Sequence, residues 1–173
     1  RDIDGVVVNR RNEVVALWSS FAWQGNGDLK QENRGLPAAY LAEALRLHAT
    51  GEPLRSLEVE FEEQPLVAAR RLGLPAGAAD TLAAHDPGRR QALAVLRTAA
   101  GSPAAALLQS GDVLVSVDGA PVTRFRELEE RVQKPAVTLE VFRDGAVRTV
   151  EVATVALGGE GVRRVIFWGG AVT

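Results

Sequence analysis

Residues 100–132, AGSPAAALLQSGDVLVSVDGAPVTRFRELEERV, constrain the fold more than any other stretch, because they fit two helix starts, a strand and a tight turn into one short span. Ser102 offers an N-cap hydroxyl, and Pro103 lacks the N–H that would go unpaired at a first helical position, so a short helix begins here. Gly111 ends it. Val113, Val115 and Val117 alternate with Leu114, Ser116 and Asp118 in a mostly apolar strand, and Asp118-Gly119 is a pair suited to positive φ. In the second helix Phe125, Leu128 and Val132 recur at i, i+3 and i+7, a single apolar stripe among arginines and glutamates.

The flanks are read the same way. Val6-Val7-Val8 and Val14 to Leu17 are β-prone runs joined by a polar turn at 9–13, which predicts a hairpin. The segment from Gln24 to Gly35 turns polar and glycine-containing and reads as a surface loop. Leu36-Pro37 opens a helix with Leu41, Ala44, Leu45 and His48 on one face, stopped by Gly51-Glu52-Pro53. Leu57 to Glu63 alternates, with Leu57, Val59 and Phe61 facing one way and Glu58, Glu60 and Glu62 the other, as in a half-buried strand. PLVAARRLGLP is a short helix ended by Gly73 and Pro75. Ala92 to Leu96 is apolar on both faces, hence a central strand. Val137 to Arg143 and Val147 to Val152 flank Asp144-Gly145-Ala146, the clearest hairpin in the chain.

Composition narrows the functional classes. Twenty basic against 22 acidic residues give a net charge of −2, with no basic tract to neutralise a run of phosphates, so nucleic acid is not an expected partner. There is no cysteine, hence no disulfide frame and no thiolate nucleophile or ligand. No apolar run approaches the ~20 residues of a membrane helix. The opening at Arg1, without an initiator methionine or signal peptide, reads as an excised fragment. His48 and His85 show no metal or base spacing and are expected to be structural, neither with a catalytic partner, and Ser19 and Ser20 have no better claim. No catalytic residue, metal or cofactor is expected in this chain.

The ordered series Gly101, Ser102, Pro103, Ala104, Gly111, Asp112, Val117, Gly119 and Val122 resembles the signature of PDZ domains in HtrA/Deg serine proteases. The N-terminal order of hairpin, helix and Gly-Glu-Pro resembles the end of an HtrA-type trypsin-like barrel. The tail GVRRVIFWGGAV within 157–173 resembles the start of a further PDZ-like module, as in large HtrA proteins whose protease and PDZ halves are duplicated. The resemblance implies an α+β, mainly β fold: residues 1–53 as the C-terminal hairpin and linking helix of a degenerate barrel, 54–155 as a PDZ domain, and 156–173 as linker and first strand of a following module. The PDZ domain is a small curled antiparallel sheet with two helices. Residues from Ala76 to Gln91 stand as an insertion in it. Active members read Gly-Asn-Ser-Gly-Gly before the first strand of the hairpin; here the matching positions are Arg1-Asp2-Ile3-Asp4-Gly5, with Ile3 in place of the nucleophile. A serine mechanism needs a hydroxyl beside a histidine base, which isoleucine does not supply.

The leading functional expectation is a non-catalytic peptide-binding module with its groove between the 58–62 strand and the 125–132 helix. An extended peptide or unfolded segment adds there as a strand, with Ser56, Leu57, Glu58, Val59, Glu60, Phe61, Phe125, Leu128 and Val132 as the site. Leu57, Val59, Phe125, Leu128 and Val132 serve either as its walls or as ordinary core. Ser56-Leu57-Glu58-Val59 occupies the place of the family's carboxylate-binding loop, with Glu58 where glycine is usual, and glutamates along an open edge disfavour acidic C-termini. The other readings are a fragment of an active serine endopeptidase whose triad lies elsewhere, and a purely architectural PDZ domain. Other domains of the same polypeptide are implied partners, with oligomerisation through them, and a bacterial member of this type would be periplasmic or secreted.

Overall fold

The computed structural model describes residues 5–25, 28–158, 167–168 and 171–172. The Arg1-Asp2-Ile3-Asp4 segment and most of the tail therefore lie outside the described residues. The chain divides into two compact units, Arg1–Glu52 and Pro53–Thr173, and each is treated by itself.

In the first unit β1 (Gly5–Val8) and β2 (Val14–Gly25) form the expected hairpin, its turn held by Asn9, whose side-chain oxygen accepts the Arg11 and Glu13 amides at 2.8 and 3.1 Å. The expected loop over 24–35 is instead β3 (Asp28–Pro37), paired antiparallel along β2 from Gly25↔Asp28 to Ala16↔Pro37. Its polar composition is that of an exposed strand: Lys30 to Arg34 are all exposed, and Gln31 Nε2 donates across the pairing to Ser20 Oγ at 2.5 Å. Helix α1 (Ala38–Thr50) follows and stops at Gly51, in the left-handed region at φ 68°. None of its residues is buried, so the stripe of Leu41, Ala44, Leu45 and His48 is present in sequence but uncovered here.

The second unit is built around one antiparallel sheet. Its strands are β4 (Leu54–Ser56), β5 (Val59–Pro65), β6 (Gln91–Thr98), β7 (Val113–Val117), β8 (Ala120–Pro121), β9 (Ala136–Arg143), β10 (Ala146–Ala153) and β11 (Val155–Leu157). The order β10-β9-β7-β6-β5 leaves β5 at an edge, β8 pairs with β7, and β4 pairs separately with β11. A last pair, β12 (Phe167–Trp168) and β13 (Ala171–Val172), lies in the tail. Three helices pack here: α2 (Leu66–Arg71), α3 (Ala76–His85) and α4 (Phe125–Arg131).

Both sheet faces are covered, which explains the strands that lack a polar face. Leu93, Val95, Leu114, Leu139 and Val141 join Leu57, Phe61, Leu128 and Val132 in one core. Ala92, Ala94, Val113, Val115 and Phe142 point the other way, into a second core with Leu66, Ala69, Leu74, Ala79 and Leu82. Residues 76–91, read as an insertion, thus supply α3, whose Ala79 and Leu82 complete that second core, together with the first residue of β6.

Local geometry follows the capping and turn logic closely. The segment after Ser102 is a 3-10 turn, Pro103–Ala106, rather than an α-helix, with the Ser102 hydroxyl accepting the Ala105 amide at 3.2 Å. Asp118-Gly119 and Asp144-Gly145 form two-residue turns with φ of 49° and 75°, and 49° and 82°. Leu57 and Glu58 lie outside the strand predicted over 57–63: Glu58 has φ 55°, a left-handed position that breaks the alternation, and regular pairing begins at Val59. The register shifts between Glu60 and Phe61, where Leu96 is the extra residue on β6, and Glu62 and Glu63 are both exposed.

Asp112, from the Gly-Asp pair, is buried, and both of its carboxylate oxygens are engaged. Oδ1 accepts Arg143 Nε at 2.6 Å, and Oδ2 accepts Arg143 Nη2 at 2.5 Å and the Gln109 amide at 2.9 Å. The aspartate raises the Arg143 guanidinium further above its already high ordinary pKa. Asp112→Ala is expected to cost about 3–5 kcal/mol, since it strands a desolvated guanidinium. Gly111→Val is expected to cost about 1–3 kcal/mol through φ alone, because nothing lies within 4 Å of an added Cβ and φ is 91°. Urea midpoints of both variants check these values, and an unchanged midpoint in either removes that residue from the framework.

Candidate functional site

The open edge of β5 and helix α4 enclose a groove of about 170 Å³ lined by Arg55, Ser56, Leu57, Val59, Phe61, Phe125, Leu128, Glu129 and Val132. This is below the about 300–1,000 Å³ of typical small-molecule pockets and suits one or two side chains of an extended segment. Seven of the nine sequence-predicted residues meet here. Leu57, Phe61, Leu128 and Val132 are core residues as well as wall, whereas Val59 is half-buried and Phe125 is 41% exposed at the mouth.

Glu58 and Glu60 do not line it. They border a separate, open depression with Arg97, Thr98, Ala99 and Ala100, and Glu60 pairs with Arg97 directly across the β5–β6 ladder. The expected row of three like charges is therefore broken twice, by the left-handed turn at Glu58 and by this ion pair.

Sequence reasoning missed Arg55 and Glu129. Glu129 was within reach of it, being i+4 from Phe125 and so on the same helical face. Arg55 precedes the loop, and only the fold reveals its restraint: its amide donates to Gln133 Oε1 at 2.9 Å, its carbonyl accepts Gln133 Nε2 at 2.9 Å, and Nη1 reaches Thr154 Oγ1 at 3.1 Å. Within the loop Ser56 Oγ accepts the Glu58 amide at 2.9 Å, so that donor is already engaged within the chain.

Helix α4 is held in register from its N-terminal end. Glu127 Oε2 accepts the Thr123 amide at 3.0 Å and lies 3.1 Å from His85 Nε2, a structural contact for His85. The pairing was invisible in sequence because 42 residues separate the two. Asp86, also buried, accepts Arg124 Nε at 2.8 Å and the Arg89 amide at 3.3 Å. His48 lies exposed in the last turn of α1. Among the described residues no cluster of three or more metal-ligating side chains occurs, and no helix is long and apolar enough to cross a membrane.

A PDZ domain model matches residues 87–154. "Protease Do-like 7" of Arabidopsis thaliana is 31% identical over 97% of this chain, and "Pro-apoptotic serine protease NMA111" of Phaeosphaeria nodorum is 27% identical over 88%. This is an HtrA-family chain carrying a PDZ domain. It spans 18% and 15% of the lengths of those two relatives. The solved structure "HtrA-type protease AlgW with decapeptide" overlays on 90% of this chain and 47% of its own, with a TM-score of 0.58 at 17% identity, a likeness of fold. The groove accordingly lies in a PDZ interaction module of the HtrA type, with the mainly-β architecture expected from the sequence.

The carboxylates that fix α4 make this module acid-sensitive. Hydrogen bonding to Arg124 lowers the Asp86 pKa against the opposing effect of burial; burial alone would raise Glu127, but the Thr123 amide, His85 and Arg124 outweigh it. Asp118, bound by Lys134 and the Thr138 amide, is lowered too. As pH falls below the ordinary carboxylate range of about 4, the unfolded chain takes up protons that these native carboxylates resist, so stability present above that range is lost. Denaturant midpoints are expected to drop from about pH 4 downwards, with a shallower drop in Asp86→Asn; a flat profile contradicts the assignment.

Proposed function

We propose that this chain is a non-catalytic peptide-binding module that takes extended or unfolded segments by strand addition to β5, the peptide side chains entering the groove against α4. The observation that carries the reading is the unpaired edge of β5 directly beside an apolar groove walled by Val59, Phe125 and Leu128. Backbone hydrogen bonds supply affinity in this mode and the pocket selects side chains. The decapeptide named with the solved HtrA-type neighbour supports a peptide as the class of ligand.

Within this proposal residues 1–53 are the end of a degenerate trypsin-like barrel and the segment after 155 leads into a following module. Ile3 at the nucleophile position argues that this part performs no peptide hydrolysis. The parent protein is proposed to be a serine-type endopeptidase or pseudo-protease, since the relatives bear serine-protease names. Incubation with casein or a labelled peptide is expected to give no turnover above background; turnover that persists after replacing Ser19 and Ser20 overturns the non-catalytic reading.

The occupied Glu58 amide sets the preference between ligand ends. A short apolar peptide is expected to bind the chain at least as well as C-terminal amide as free acid, and Ser56→Ala, which releases that amide, is expected to shift the preference toward the acid. A wild-type preference for the acid contradicts this. Phe125→Ala is expected to weaken the amidated peptide about tenfold, through ~1–2 kcal/mol of lost apolar contact. N-methylation of the peptide at alternate residues is expected to cost about fivefold per hydrogen bond removed. Fluorescence anisotropy reads all of these, and indifference to both Phe125→Ala and N-methylation overturns strand addition.

A further inference from the structure

The backbone of β5 fixes where an added strand pairs, and so which of its side chains meet which residues. Glu58 O accepts the Ala99 amide at 2.8 Å, and the Leu66 amide donates to Arg90 O at 2.9 Å. Even-numbered residues therefore face β6 at both ends of β5, and the extra residue Leu96, which lies on β6, leaves the alternation of β5 intact. Val59, Phe61 and Glu63 present their N–H and C=O to the open edge. The edge is bounded by the left-handed Glu58 and by Pro65, which has no N–H to offer.

Residues directly opposed across a ladder put their side chains on the same face. Val59 and Phe61 both line the groove, so the two residues opposite them, two apart in the added segment, enter it. The residues between and beside that pair fall on the other face, opposite Glu58, Glu60 and Glu62.

These three glutamates are not equivalent. On the β6 side Glu60 faces Arg97 and is paired with it, whereas Glu62 faces Ala94 and Glu58 meets the backbone of Ala99. Glu58 and Glu62 have no cationic partner among the described residues. The sheet thus supplies a cation for the middle position and leaves the outer two for the incoming strand. The groove face carries no matching excess, since its charged residues are one arginine, Arg55, and one glutamate, Glu129.

We propose that β5 selects a segment with two apolar residues separated by one position, opposite Phe61 and Val59, and a basic residue immediately outside each of them, opposite Glu62 and Glu58. This rests on strand addition to β5 and specifies its ligand. The segment runs antiparallel to β5, as every pair in this sheet does, so its first basic residue meets Glu62 and its last meets Glu58. Opposite charges across a ladder are favourable and like charges unfavourable, so each outer basic residue contributes about two- to fivefold in affinity. A cation at the middle position finds Glu60 already engaged and adds nothing.

The test uses the full chain and fluorescein-labelled, C-amidated peptides of serine and threonine with two leucines separated by one residue, which set the register, read by anisotropy. A single lysine is placed before the first leucine, between the two, or after the second. Either outer lysine is expected to tighten binding about two- to fivefold and the middle one to change nothing. Glu62→Gln is expected to remove only the gain from the leading lysine and Glu58→Gln only that from the trailing one, with melting temperatures unchanged because both side chains lack an ion pair. Rising salt is expected to erase both gains as the screening length shortens. Phe125→Ala is expected to weaken every peptide by the same factor and to leave the lysine ratios intact. The assignment is overturned if the middle lysine tightens binding as much as the outer ones, or if a gain survives its matching substitution. If the leucine peptide binds and the outer lysines are inert, the charge pattern falls and strand addition stands. If binding ignores both Phe125→Ala and N-methylation of the peptide, the two fall together.

Discussion

The buried pair of Asp112 and Arg143 is the interaction on which the second unit depends. Asp112 opens β7, Arg143 closes β9, and the same guanidinium donates to Leu107 O at 2.9 Å, so one ion pair ties the 3-10 turn to two strands. Backbone bonds brace it from the third side, with the Val95 amide donating to Asp112 O and the Gly111 amide to Val95 O, both at 2.8 Å. A pair this deep does not guarantee net stability, because desolvation offsets much of the attraction. Its effect is specificity: only one register of β6, β7 and β9 satisfies all of these donors at once. The Gly-Asp of the sequence is therefore a register lock, with Gly111 supplying the backbone turn that aims the carboxylate inward.

From that lock the groove follows in two steps. The sheet order places β5 at an edge with Leu57 and Phe61 in the core, and the same core receives Leu128 and Val132 from α4. A helix of only 7 residues has too few hydrogen bonds to stand alone. Apolar packing fixes its inner face, and the His85, Asp86, Arg124 and Glu127 group fixes its N-terminal end. Helix α3 is thereby linked to a wall of the groove without lining it: His85 in its last turn meets Glu127, and Asp86 just after it accepts Arg124 at the start of α4.

Much of this was legible in the sequence, and the parts that were not share a physical cause. Turns and caps at Ser102, Gly111, Asp118-Gly119 and Asp144-Gly145 were readable because each is set by residues adjacent in the chain. The apolar stripe of α4 identified the groove wall, and with it Phe125, Leu128 and Val132. What failed was long-range. β3 was hidden because its exposed polar residues, Lys30 to Arg34, have no hydrophobic period to reveal it. α3 was hidden because Ala79 and Leu82 become core only when the sheet offers them a second face. His85 and Glu127 meet only through the fold.

The loop at Ser56–Val59 shows why residue type and backbone need separate treatment. From sequence, Glu58 in place of glycine reads as an electrostatic obstacle added to a strand. In the fold it occupies the conformation glycine would take, so the backbone geometry of the loop survives the substitution and only the side chain is new. That side chain turns to the depression shared with Glu60 and Arg97, away from the groove, so its charge acts on an approaching carboxylate at a distance and through solvent. The nearer constraint is Ser56, whose hydroxyl takes the Glu58 amide and fills with a neutral oxygen part of the place a carboxylate would claim. An internal segment brings no terminal charge to this loop. Of these two residues, Ser56 and not Glu58 lines the groove.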